Sequence, residues 1–221
     1  MVIILFISLS CFQTALSAGN CDCGQVGKSR IIPRIANGTN VPEGKYPWMI
    51  SLGHCGGTFI TNKHILTAAH CGLYFEGKKI HFGSNDKWKF KGEATIAAAN
   101  RHPKYIAKAG IEKHDIMILT LTKPVKFNNK VKPICLPAKS SIYNEGYGSG
   151  IAAGWGRWSR MLREAKLKII NSGSTLDPDD CKKNGNFVCA KSVGKKYATD
   201  GGDSGGPFMV EENGRYNSSL F

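Results

Sequence analysis

The sequence predicts an all-β protein whose short strands close into a barrel or stack as a sandwich. Three observations predict it. Apolar runs of strand length recur at residues 48–52, 58–60, 65–69, 80–82, 94–98, 116–121, 150–153 and 166–170. Most of these runs alternate or are rich in β-branched residues, which suits a pleated surface buried on one side. Gly, Pro and Asn break the chain between them, as repeated tight turns require. Helical signal is confined to two places. Residues 68–71 read as one helical turn, and residues 177–183 carry acids first and lysines last, as a short helix prefers. At 221 residues the chain has room for one large domain or two small ones, and it shows no internal repeat or low-complexity tract.

Residues 1–18 are mostly apolar, with Val2-Ile3-Ile4-Leu5-Phe6-Ile7, and end in small residues. They read as a signal peptide cleaved after Ser17 or Ala18. The run is too short to span a bilayer and no later stretch is apolar for long enough, so a soluble, secreted, extracellular protein is expected. Residues 19–34 form a short polar lead with Cys21 and Cys23 and two basic candidates for cleavage, Arg30 and Arg34. Of eight cysteines, Cys11 leaves with the signal peptide, so seven remain. In an oxidising compartment these read as disulfide partners rather than zinc ligands. Seven is odd, so one is free or paired outside the chain. The formal charge of +14 comes from scattered lysines with no aromatic-interleaved cluster. This reads as a solvated basic surface, suits anionic partners such as sulfated glycans or membrane surfaces, and gives nucleic-acid binding little support.

Chemistry concentrates in Asp200-Gly201-Gly202-Asp203-Ser204-Gly205-Gly206-Pro207. Glycines let such a turn present a serine while aiming N–H groups at developing negative charge. A hydroxyl is a weak nucleophile and needs a histidine base with a carboxylate to orient it. Both are present upstream, in Thr67-Ala68-Ala69-His70-Cys71 and in Lys113-His114-Asp115-Ile116-Met117-Ile118-Leu119. The other five histidines (His54, His64, His81, His102 and His114) read as ordinary structural or surface residues. Asn37-Gly38-Thr39 and Asn217-Ser218-Ser219 are glycosylation sequons.

With the order His, Asp, Ser in place, the chain from Ile35 to Tyr216 resembles the trypsin/chymotrypsin family of serine proteases. Further motifs carry the resemblance: Pro47-Trp48-Met49-Ile50-Ser51-Leu52, Cys55-Gly56-Gly57-Thr58, Lys132-Pro133-Ile134-Cys135-Leu136-Pro137 and Gly154-Trp155-Gly156. It implies two six-stranded antiparallel β-barrels with the active site between them, and a serine endopeptidase needing no cofactor or metal. In that reading Ser204 attacks the scissile carbonyl, His70 takes its proton, and Asp115 holds the imidazole in the right tautomer. The N–H groups of Gly202 and Ser204 form the oxyanion hole, worth roughly 3 to 4 kcal/mol of barrier per donor.

The resemblance also implies a zymogen. Arg34-Ile35-Ala36-Asn37-Gly38 matches the family's cleavage site, although Val and Gly usually hold the second and third places after the cut. The freed Ile35 ammonium would then pair with Asp203. Residues 1–18 become the signal peptide, 19–34 the activation lead and 35–221 the peptidase domain. The implied bridges are Cys55–Cys71, Cys181–Cys189 and Cys135 with Cys23 in preference to Cys21, which leaves Cys21 odd. The specificity pocket would be floored by Ala198 and lined by Thr199, with Asp200 in place of the usual cysteine; a one-residue shift would instead bring Asp200 to the pocket. An uncharged floor suits a small or apolar substrate side chain. After Pro207 the family continues for a few dozen residues more than this chain does, so the second barrel is expected to be incomplete. The partners implied are a polypeptide substrate, an activating protease and proteinaceous inhibitors. Two other functions are open: a non-catalytic homologue acting as a binding or cascade cofactor protein, and a relative using the fold for other acyl chemistry.

Overall fold

The computed structural model describes residues 22–27, 39–72, 74–108, 111–137, 148–170, 188–192 and 201–220. Their strands in chain order are β1 (Thr39–Asn40), β2 (Met49–Ser51), β3 (Gly56–Phe59), β4 (His64–Thr67), β5 (Lys79–Phe82), β6 (Gly92–Arg101) and β7 (Ile106–Lys108). There follow β8 (Ile111–Lys113), β9 (Met117–Leu121), β10 (Ser149–Gly154), β11 (Arg163–Ile170), β12 (Cys189–Ser192), β13 (Pro207–Glu212) and β14 (Arg215–Leu220). One turn of 3-10 helix, Ala69–Cys71, follows β4. The all-β expectation holds.

Six strands close a barrel in the order β2-β3-β4-β9-β6-β5. Alternation explains the closure. Along β9, Met117, Leu119 and Leu121 are buried while Ile118 and Thr120 are only half-buried, and Ile80 and Phe82 do the same along β5. Residues two apart share a face, so the inward set fills the barrel and the edges vanish. Phe59 lies at its centre, fully buried, with its ring edge-on to Phe82 at 5.2 Å and to Phe127 at 5.8 Å.

The second sheet runs β1-β11-β10-β13-β14, with β12 also paired to β11, and among the described residues it does not close. Its two faces bury separate clusters. Ala153 and Met209 point toward Trp48, Ile134, Trp155 and Leu162 in the layer between sheet and barrel. Their neighbours Ala152, Phe208 and Val210 pack on the far face with Leu167 and Ile169. Trp48, which precedes β2, joins the halves: it is fully buried and its Nε1–H points at Met209 Sδ, 3.2 Å away.

Several strands extend beyond the apolar runs that announce them. β11 begins at Arg163 rather than 166 because its backbone pairs with β10 as far as Gly154. The 65–69 run is shortened: β4 stops at Thr67, and the chain turns into the 3-10 helix. The short strands β1, β7, β8 and β12 carry no apolar run of their own and form through pairing with a neighbour. The helix expected at 177–183 lies outside the described residues.

The lead peptide is tied to the body. Cys23 is bonded to Cys135, Gly24 N–H donates to the Pro133 carbonyl at 2.9 Å, and Tyr216 N–H donates to Gly24 at 2.9 Å. Cys21, the residue expected to be odd, and the sequon asparagine Asn37 lie outside the described residues. The other sequon asparagine, Asn217, lies within β14, where it is only 8% exposed and bridged to Cys135.

Because Phe59 fills the barrel centre, Phe59→Ala is expected to lower unfolding stability by about 3–5 kcal/mol. Urea denaturation, read as a fall in midpoint at unchanged slope, checks it.

Candidate active site

β4 and β9 are antiparallel neighbours with Thr67 opposite Met117. The chain therefore leaves β4 toward His70 at the same end where it enters β9 from Asp115. Two residues 45 apart in sequence are brought side by side by register alone. His70 Nδ1 lies 2.6 Å from Asp115 Oδ2, and its backbone N–H donates to Oδ1 at 2.8 Å. A carboxylate can only accept, so Nδ1 carries the proton and Nε2 is left as the basic nitrogen. The turn is held from both sides. Cys71 is bonded to Cys55, and Arg101 donates to the Gly72 carbonyl at 2.5 Å.

The electrostatics follow from these contacts. The hydrogen bond to Asp115 raises the His70 imidazole above its ordinary value; burial works against this, and the negative charges of Asp115 and Glu112 add to it. Burial pushes the Asp115 carboxyl up, but the hydrogen bonds from the His70 side chain and backbone outweigh it and hold Asp115 below the usual range.

Ser204 sits at the corner of a turn closed by Gly206 N–H donating to the Asp203 carbonyl at 2.9 Å. The turn is docked on the barrel: Gly56 N–H donates to the Ser204 carbonyl at 2.8 Å, and Cys71 Sγ lies 3.7 Å from the same oxygen. At Gly205, with φ +75°, the two halves approach closely. A Cβ there would run into the Thr67 hydroxyl and lie 2.8 Å from the Gly56 carbonyl oxygen. Gly202 and Ser204, the expected oxyanion donors, flank Asp203 in this turn.

Asp203 points away from the serine into the Gly154-Trp155-Gly156 loop, where its Oδ1 accepts the Gly156 N–H at 2.7 Å. Gly154 leaves the space, since a Cβ there would overlap the carboxylate. Trp155 is buried and anchors the loop through Nε1–H to the Asn85 carbonyl at 2.8 Å. Lys87 reaches the same loop and donates to the Gly156 carbonyl at 3.1 Å; burial pulls its ammonium down and the Asp203 charge opposes that.

The remaining expected site residues fall elsewhere. Arg34, Ile35, Ala198, Thr199 and Cys181 lie outside the described residues. Cys189 opens β12 and is disulfide-bonded. The five other histidines have ordinary surroundings; His54 approaches the Cys71 carbonyl, His64 bonds Thr61, His81 stacks on Phe90, and His102 stacks on His114.

One residue escaped the sequence reading. Glu112 Oε2 lies 3.1 Å from His70 Nδ1, beside Asp115. Its place three residues before Asp115 was a weak signal, because only the β7–β8 hairpin turns it toward the histidine. His70, Glu112 and Asp115 hold their ligand-type atoms within 4.8 Å of one another, close enough for a cation. The 2.6 Å hydrogen bond to Asp115 already occupies Nδ1 with a proton. Cys55, His70 and Cys71 also cluster, but both sulfurs are in the disulfide.

Comparison with known proteins adds to this geometry. The family model described as Trypsin matches residues 35–217. The chain is similar to the venom serine protease Bi-VSP of Bombus ignitus, 30% identical over 214 residues that cover 80% of this chain and 57% of that protein. It is also similar to ovochymase of Halocynthia roretzi, 30% identical and covering 81% of this chain but 12% of that protein. The CLIP domain-containing serine protease B14 of Anopheles gambiae is 28% identical, covering 94% of this chain and 68% of that protein. The chain thus spans little more than half of the first of these relatives and a small part of the second.

Gly205→Ala is expected to destabilise the fold by roughly 1–3 kcal/mol, since the new methyl meets backbone and hydroxyl at a positive φ. A lower thermal midpoint, with the Ser204 turn losing protection in hydrogen exchange, is the expected readout.

Proposed function

The chain belongs to the trypsin family of serine proteases, and on that premise we propose that it is a secreted serine endopeptidase working through Ser204, His70 and Asp115. One observation carries the reading: the 2.6 Å contact of His70 Nδ1 with Asp115 Oδ2, on a turn pinned to Cys55 next to the residue that holds the Ser204 carbonyl. Ser204 Oγ attacks the scissile carbonyl as His70 Nε2 takes its proton. The imidazolium then returns that proton to the leaving amine, while Asp115 keeps the ring in the productive tautomer. The N–H groups of Gly202 and Ser204 stabilise the oxyanion. Water, activated by the same histidine, releases the acyl group.

Residues 1–18 are the signal peptide and residues 19–34 the activation lead in this proposal, with residues 35–217 lying within the matched peptidase domain. An activating protease cuts after Arg34, and the Ile35 ammonium pairs with Asp203. Support comes from the position of Asp203, whose carboxylate occupies a loop built of glycines rather than the serine's own pocket. Burying an ammonium without its acid is costly, which makes the pair a switch for the oxyanion turn. The Cys23–Cys135 bond keeps the lead attached after the cut. Secretion accords with the disulfides, and among the described residues no helix is long and apolar enough to cross a membrane. With Ala198 and Thr199 lining the pocket, the substrate is a polypeptide with a small or apolar side chain before the scissile bond.

A fluorophosphonate probe applied to the cleaved protein should label Ser204, with no labelling in Ser204→Ala. Since the base must be unprotonated and His70 is raised, the acid limb of labelling against pH is expected above 6.5, the imidazole's ordinary value. N-terminal sequencing of active protein should begin at Ile35; a start at Ile31 overturns the assigned cleavage site. Absence of labelling after confirmed cleavage would transfer the protein to the non-catalytic, cofactor-type function.

A further inference from the structure

Resting on the catalytic reading above, we propose that Glu112 is a second orienting carboxylate, which with Asp115 holds His70 and stabilises the imidazolium formed during catalysis. Both acids converge on one ring nitrogen: Asp115 Oδ2 lies 2.6 Å from His70 Nδ1 and Glu112 Oε2 lies 3.1 Å from it. They come from different structural contexts. Asp115 sits in the connection just before β9, whereas Glu112 belongs to the β7–β8 hairpin, where it is opposite Ala107. The two approaches converge on the same N–H.

One N–H cannot be donated linearly to two acceptors, so the shorter contact identifies Asp115 as the principal partner. Glu112 acts through its charge and through a hydrogen bond with the Asp115 carboxyl. Two carboxylates in contact repel unless a proton lies between them. Burial pushes the Glu112 carboxyl up, the His70 charge pulls it down, and the Asp115 charge and hydrogen bond raise it again, for a net rise. The proton therefore resides on Glu112 at low pH, where it donates to Asp115. Once Glu112 ionises, the imidazolium faces two negative charges instead of one. Glu112 is a positioning residue in this role, because it acts through His70.

Among the described residues, Tyr105, Arg101, Lys113 and His114 lie around the pair. Tyr105 packs nearby; burial raises its phenol, the Glu112 and Asp115 charges add to this, and Arg101 opposes it. The Arg101 guanidinium lies over the Tyr105 ring at 5.2 Å and is tied to the Gly72 carbonyl. Lys113 and His114 follow Glu112 in the chain, and His114 is stacked on His102 at 4.7 Å. The Glu112 side chain is 39% exposed, so solvent screens part of its charge. A modest effect follows.

The test is an NMR titration of the His70 imidazole in the cleaved, full-length protein, beside the pH dependence of Ser204 labelling by diisopropyl fluorophosphate. Glu112→Gln should lower the His70 midpoint by roughly half to one pH unit, as loss of one neighbouring charge requires. The acid limb of labelling should move with it, and Glu112→Lys should lower both further. A side chain that merely packs would leave both curves where they are. Unchanged midpoints in the two variants overturn the proposal, and Glu112→Lys carries the comparison should the Gln variant fail to fold. If Ser204 labels in no variant, the catalytic reading fails, while the titration still decides whether Glu112 acts on His70.

Discussion

Gly56, at the start of β3, donates its N–H to the Ser204 carbonyl at 2.8 Å, and through this bond the turn of the second sheet is set in register on the histidine turn of the barrel. Everything proposed for the site depends on that docking. The Cys55–Cys71 bond fixes the two sides of the barrel's contribution, and Gly205 removes the side chain that would hold the halves apart. Backbone-to-backbone contact of this kind is stiff. It involves no side-chain rotamers, so it sets the spacing of the two turns' backbones directly.

The polar groups around this junction divide into two sets with opposite tasks. Asp115 and Glu112 face the histidine and favour its charged form. Asp203, next to the serine in sequence, faces the other way and is held by Gly156 with Lys87 on the same loop. Adjacent residues on an extended turn point to opposite sides. A single short segment therefore carries Ser204 beside the barrel and sends the Asp203 carboxylate to the Gly156 loop. Behind both lies the apolar layer between barrel and sheet, where Trp48 and Trp155 are buried with their indole N–H groups satisfied.

Much of the fold is legible along the chain. Barrel strands β2, β4, β5 and β9 follow apolar runs whose period of two is imposed by the pleat. The short strands were not legible, since β7, β8 and β12 exist through pairing and carry little apolar signal. His70, Asp115 and Ser204 could be named because a serine nucleophile demands a base and an orienting acid, and each stands in a recognisable local motif. Glu112 could not, because nothing local separates it from any other charged residue on a hairpin. The Asn217 triplet satisfies a local rule, yet the strand that contains it buries the asparagine.

Residue types and their local spacing were enough to establish the chemistry on offer: an all-β chain, a glycine-flanked serine, an upstream histidine and acid, and cysteines suited to an oxidising compartment. Which groups meet was decided by tertiary structure alone. The register of β4 on β9 brings Asp115 to His70, the β7–β8 hairpin adds Glu112, and the Gly56 hydrogen bond seats Ser204 beside the Cys55–Cys71 bridge. The reason is physical. Periodicity and turn preference act over a few residues and can be read along the chain. Contact, burial and the resulting proton affinities arise between segments far apart in sequence, where strand pairing sets distances of a few ångströms.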